Sequence, residues 1–160
     1  KKHKIYCFED RLGSSGRFYS VYLQYVKNGK VTWNQIADWR AGKYSNQRID
    51  KIYTFLHNGQ TYYVLISYCY NVAYFEIVTI ENGNFITHSE FYPKQFQNNI
   101  KDGVIEFYGG SDSYFDLEFD SQTLTINYTF YSYMGEVEEH GQKSPQYKKT
   151  EQKTVKLDIE

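Results

Sequence analysis

Residues that favour helix are scarce in this chain. Its 160 residues include one Met and three Ala (Ala37, Ala41, Ala73), and no segment carries a helical apolar period over ten or more positions. Long apolar runs are also missing. None approaches 20 residues, so no transmembrane segment is expected. Neither sign of charge is in excess: 18 Lys+Arg against 19 Asp+Glu leave a formal charge of −1. A nucleic-acid partner, whose binding would rest on a basic face neutralising phosphates, is therefore not expected. The two cysteines, Cys7 and Cys69, lack the C-x-x-C spacing of a metal knuckle or a thioredoxin-type motif. They read as two buried thiols or as one disulfide, and the second would imply an oxidising compartment.

Aromatics fill the space these absences leave. Eighteen Tyr, 11 Phe and 2 Trp supply far more apolar area than disordered chains carry, and they suit a pleated, half-buried surface. The length suits one domain, residues 1–160. Three Asn-Gly pairs, Asn28-Gly29, Asn58-Gly59 and Asn82-Gly83, each stand between runs of β-formers. A type I′ turn needs positive φ at both central residues, which Asn-Gly supplies at least cost, so each pair predicts a hairpin. A fourth turn falls at Asp120-Ser121-Gln122, and Lys101-Asp102-Gly103 opens a strand over Val104–Tyr108. The expected fold is all-β: an antiparallel meander of about 8–11 strands, as a sandwich or a small barrel. The Asn-Gly spacings of 30 and then 24 residues are not periodic, so the repetition reflects hairpins and not propeller blades.

The strands differ in their two faces. Phe115, Leu117 and Phe119 alternate with Asp116, Glu118 and Asp120, a strand with one wet face. Tyr62–Ile66 and Tyr74–Ile80 are apolar on both faces and read as central. From Trp33 to Arg40 the strand and helix patterns tie. Residues 134–154 form a long polar hairpin or a loop. As a hairpin with its tip near Gly141–Pro145, it would set Glu136, Glu138 and Glu139 across from Lys148 and Lys149. Farther in, it would pair Phe130 with Val155, Tyr128 with Leu157 and Ile126 with Ile159.

Little catalytic chemistry is legible. The four histidines (His3, His57, His88, His140) have no zinc-ligand spacing, Gly13-Ser14-Ser15-Gly16 is not a nucleophile elbow, and no phosphate-binding loop occurs. Asp112, Asp116, Glu118 and Asp120 read first as a solvated face, then as a calcium or catalytic patch. No catalytic residue, metal or cofactor is expected. The candidate ligand-binding set is Trp33, Trp39, Arg40 and Tyr44, where rings cluster beside a planar multi-donor group in a segment that breaks the strand–turn rhythm.

The strings Lys51–Ile66, Phe75–Phe85 and Phe119–Leu124 resemble those of uncharacterised, Tyr-rich, β-rich secreted proteins of gut-dwelling bacteria. The resemblance, with a chain that begins at Lys1, implies a secreted, periplasmic or cell-surface attached protein. The leading expectation is a non-catalytic extracytoplasmic binding module for a glycan or protein ligand. The alternatives are a structural or assembly domain of a surface protein and, behind it, a hydrolase using acidic strand residues. Exposed Trp33 and Trp39 would favour binding, and buried ones a structural role.

Overall fold

A computed structural model describes residues 3–11, 17–37 and 43–160. Its strands are β1 (Lys4–Arg11), β2 (Arg17–Lys27), β3 (Lys30–Ala37), β4 (Arg48–His57), β5 (Gln60–Cys69), β6 (Val72–Glu81), β7 (Asn84–Thr87), β8 (Ile100–Lys101), β9 (Val104–Tyr108), β10 (Tyr114–Asp120), β11 (Thr125–Glu139) and β12 (Gln142–Lys156). Two short 3-10 turns, Ser89–Phe91 and Lys94–Asn99, lie between β7 and β8. The three Asn-Gly pairs turn as expected, with φ of 50° and 76°, 48° and 76°, and 50° and 79°. Asp102-Gly103 and His140-Gly141 have the same geometry. Asp120 holds the fourth turn by accepting the N–H groups of Gln122 (2.8 Å) and Thr123 (3.1 Å), which pull its pKa down. The β5–β6 turn differs: Tyr70, not Gly or Asn, takes the positive φ, at 51°. A side chain with a Cβ in that region costs about 1–2 kcal/mol.

The all-β antiparallel fold is as the sequence predicts, but it is neither a barrel nor a simple meander. The strands form three sheets, ordered β1-β2-β3, β4-β5-β6-β9-β8 and β10-β11-β12, with β7 also on β6. Sequential pairing breaks at β6, whose one edge serves two partners. Val78–Glu81 pair with β7, and Val72–Phe75 pair with β9 after the chain returns through the 3-10 turns. The described residues form twelve strands against the expected eight to eleven, and the two-residue β8 is the shortest of them.

The doubly apolar strands β5 and β6 explain the layering. Val64, Ile66, Phe75 and Ile77 face a core shared with Leu117, Phe119, Ile126 and Leu157 of the third sheet and its C-terminal extension. On the opposite face, Leu65 and Val78 pack with Val21 and Ala37 of the first sheet. The sandwich therefore has three layers, with the six-stranded sheet in the middle. At Leu117 the edge of β10 is held by side chains from that middle layer. Lys51 Nζ donates to the Leu117 carbonyl (2.7 Å), and the Leu117 N–H donates to the Tyr68 hydroxyl (3.1 Å). Backbone groups that would otherwise invite a foreign strand are thus satisfied.

Strand geometry also resolves the open segments. Trp33 to Ala37 is strand, and 38–40 lie outside the described residues. Residues 134–154 are a hairpin, but its register differs from the expected one. The tip is His140-Gly141, so Glu139 faces Gln142, and Ile126 faces Val155 in place of Ile159. A tip two residues earlier moves each partner by about four, and two bulges adjust it further. Tyr128 and Phe130 accordingly face Lys153 and Glu151, while Lys148 and Lys149 face Ser132 and Tyr131. None of the expected Glu–Lys pairs forms; Glu138 faces another lysine, Lys143. Cys7 and Cys69 are free, partly buried thiols, with burial pushing both pKa values up.

Gly109 lets the chain double back after β9. A Cβ there would collide with the Ser113 carbonyl oxygen, a backbone atom and not the end of a flexible side chain. Gly109→Ala is expected to destabilise the fold by about 1–3 kcal/mol, read as a lower denaturant midpoint with an unchanged slope. An unchanged midpoint would show that the 109–113 loop shifts freely.

Candidate functional site

Alternation along the first sheet produces two unlike faces. Val21 and Leu23 point inward and are fully buried. The opposite parity carries Tyr6 and Phe8 on β1, Tyr22, Gln24 and Val26 on β2, and Val31, Trp33 and Gln35 on β3. The register sets Tyr6 beside Tyr22, Gln24 beside Trp33, and Val26 beside Val31. Trp33 is 52% exposed and Phe8 53%, both high for rings of their size.

These rings hold one another in place. The Trp33 ring lies 5.2 Å from that of Tyr6, Tyr6 and Phe8 are parallel to within 6° at 6.3 Å, and Phe8 meets Tyr22 edge-on at 5.8 Å. Gln35 Nε2 donates to the Tyr22 hydroxyl at 3.3 Å. At the β3 margin, Asn34 Nδ2 donates to the Gly83 carbonyl at 2.7 Å, tying the strand to the β6–β7 turn. The result is a shallow apolar platform, fixed by strand pairing and edged by side-chain amides. It can stack flat apolar rings and offer hydrogen bonds at its border.

The expected set does not assemble around Trp33. Tyr44 is in the interior, 4% exposed, packed edge-on against Phe85 at 5.7 Å. Its hydroxyl donates to Glu76 Oε2 at 2.8 Å. Glu76, on the central strand β6, also accepts Lys43 Nζ at 2.8 Å and the Thr87 hydroxyl at 2.7 Å on its other oxygen. Burial, and then the Glu76 charge, push the Tyr44 pKa far above the usual phenol range. Tyr44 thus anchors the 43–47 segment to the middle layer and is not on the platform. Trp39 and Arg40 lie outside the described residues.

The acidic residues are dispersed among separate tasks. Asp116 accepts Lys51 Nζ and the Tyr68 hydroxyl, both at 3.0 Å, and Asp120 caps its turn. Among the described residues, no group of three His, Cys, Asp or Glu is gathered as a metal site. Nor is any described helix long and apolar enough to cross a membrane. The reading of single segments missed Tyr6, Phe8 and Tyr22. Their signal was the same period-2 parity that exposes Trp33, visible only once β1 and β2 are put in register with β3. No family model, curated protein or solved structure matches the chain.

Proposed function

We propose that this chain is a non-catalytic extracytoplasmic binding module that takes a neutral glycan on the outer face of β1–β3. The observation that carries the reading is Trp33, half-exposed yet held against Tyr6 on a paired strand. Such a ring loses little conformational freedom on binding. A sugar presents flat C–H faces to stack on rings and hydroxyls to bond at the edge, where Gln24, Gln35 and Tyr22 stand. Hot spots for protein partners cluster in well-packed pockets, whereas this face is shallow. The resemblance to secreted proteins agrees with a ligand found outside the cytoplasm.

Affinity electrophoresis against neutral polysaccharides tests the reading. Wild type should be retarded by at least one of them. Trp33→Ala should lose about 2 kcal/mol, roughly thirtyfold in affinity, while its far-ultraviolet spectrum is unchanged. A folded Trp33→Ala protein retarded like wild type would remove the platform from the site.

A structural or assembly role has one observation of its own. Every residue from 136 to 150 is exposed, so the far end of β11–β12 projects as a two-stranded arm. Isolated hairpins are marginal in water, and a partner strand or surface would support this one. Removing the arm tip would then abolish assembly but leave glycan retardation intact. The hydrolase alternative has less to draw on, since Asp116 is already held by Lys51 and Tyr68.

A further inference from the structure

The strained turn at Tyr70 borders an aromatic cavity on the opposite side of the middle layer. Among the described residues, five other two-residue turns place Asn, Asp or His and then Gly at positive φ, whereas the β5–β6 turn puts a tyrosine there. That ring is 89% exposed, and among the described residues it has no ring partner. Backbone strain and a large exposed apolar group at one residue oppose stability twice over, which points to a task for the ring. Together with Asn71, Ser111, Asp112, Tyr114 and Tyr147, it lines an open surface cavity of about 250 Å³.

The other rings are firmly set. Tyr114 and Tyr147 stand at 78° with centroids 4.9 Å apart, two walls of a corner. Tyr114 is backed by Tyr131, stacked at 5.0 Å. Tyr70 lines the same cavity. The Asp112 carboxylate accepts a hydrogen bond from its neighbour Ser111 at 3.3 Å and faces no cation among the lining residues. Lys149, opposite Tyr131 in the ladder, is not among them.

We infer that this cavity binds an alkylated ammonium group, a quaternary one above all. Phenol faces are electron-rich, and several of them around one point favour a cation over a neutral group of the same shape. The carboxylate supplies the counter-charge. The volume lies below the roughly 300–1,000 Å³ of cavities that take drug-sized ligands, and it suits a headgroup better than a sugar chain. The same chemistry occurs in choline-bearing polymers, in phosphocholine lipids and in methylated lysine. The site is separate from the β1–β3 platform and does not depend on a glycan there.

The test is calorimetric titration of the whole protein with choline beside its neutral tert-butyl analogue, in which carbon replaces nitrogen. Choline should bind at least about tenfold more tightly than the analogue. Tyr147→Ala and Asp112→Asn should each weaken it by about the same factor. Tyr70→Asn separates function from structure, because it relaxes the turn: it should raise the thermal midpoint and abolish choline binding. Competition by phosphocholine vesicles, by a choline-bearing polymer or by a trimethyl-lysine peptide would support the site and name the source. Equal affinity for the neutral analogue, no heat with choline at high millimolar concentration, or full binding by Tyr70→Asn would each overturn it.

Discussion

Glu76→Ala is expected to cost about 3–5 kcal/mol, a large share of the roughly 5–15 kcal/mol that holds a domain of this size folded. Glu76 is 2% exposed and lies between the middle sheet and the 43–47 segment, where it accepts hydrogen bonds from Lys43, Tyr44 and Thr87. Removing the carboxylate strands two buried or half-buried hydroxyls and an ammonium whose side chain is only 30% exposed. At roughly 2–4 °C per kcal/mol, the thermal midpoint should fall by about 6–20 °C. Tyr44→Phe removes one donor of three and should cost only about 1–2 kcal/mol. Glu76→Gln should fall between the two, since its one amide oxygen keeps either the Tyr44 hydroxyl or the Lys43–Thr87 pair and turns its N–H₂ group towards the other. A Glu76→Ala midpoint within a degree or two of wild type would mean the network merely fills space.

Alkali should unfold the protein cooperatively, and the buried phenols set where. Burial pushes the Tyr44 and Tyr92 pKa values far up, and that of the half-buried Tyr68 up to about 12. In the unfolded chain a phenol titrates near 10. The folded state therefore holds these protons more tightly. The stability they contribute is complete below about pH 10 and is lost as pH climbs from there through the folded values. Each fully buried phenol adds a slope of about 1.4 kcal/mol per pH unit, and Tyr68 adds less because it is partly solvated. Phenolate absorbance should therefore show a late step that coincides with loss of the circular dichroism signal, above about pH 11. Tyr92 also donates to the Gly103 carbonyl at 2.6 Å and accepts the Ile77 N–H at 3.2 Å, so its ionisation breaks a tie within the middle layer. Smooth titration of every tyrosine with the strand signal intact would refute this account.

The hairpins were legible because their chemistry is local: Asn-Gly dictates two positive φ values without help from the rest of the chain. The two-faced apolarity of β5 and β6 marked them as central for the same reason. What covers them was not legible. The third layer's place follows from packing between stretches far apart in sequence, and nothing in Leu117 or Val21 says which side of β5 it meets. The arm register failed on one detail: His140-Gly141 makes the same turn as Asn-Gly, but the Gly141–Pro145 stretch drew attention away from it. For the site, the segment around Trp33 stood out through its composition, while the parity of one short strand decided that Trp33 faces out. Tyr44 was drawn inward by Glu76, 32 positions away, a partner no local pattern reveals. Tyr70 escaped notice because Tyr-Asn is not a common turn pair, and its strain appears only as a dihedral angle.

Each layer takes its strands from one stretch of sequence, and no described strand is lent from one sheet to another. Emerging from the ribosome, the protein would therefore build its sheets in order, first to last. The face of the middle sheet that carries Phe75 and Ile105, covered in part by Tyr92 and Phe96, must wait for the rest of its cover until the final stretch is made, a window in which sticky intermediates meet chaperones or one another. The same last event completes the aromatic cavity, because Tyr70 belongs to the middle sheet's turn while Tyr114 and Tyr147 arrive with β10 and β12. The capacity to hold a cation would thus appear only as the last layer docks, and occupancy of the cavity would report that the chain has finished folding.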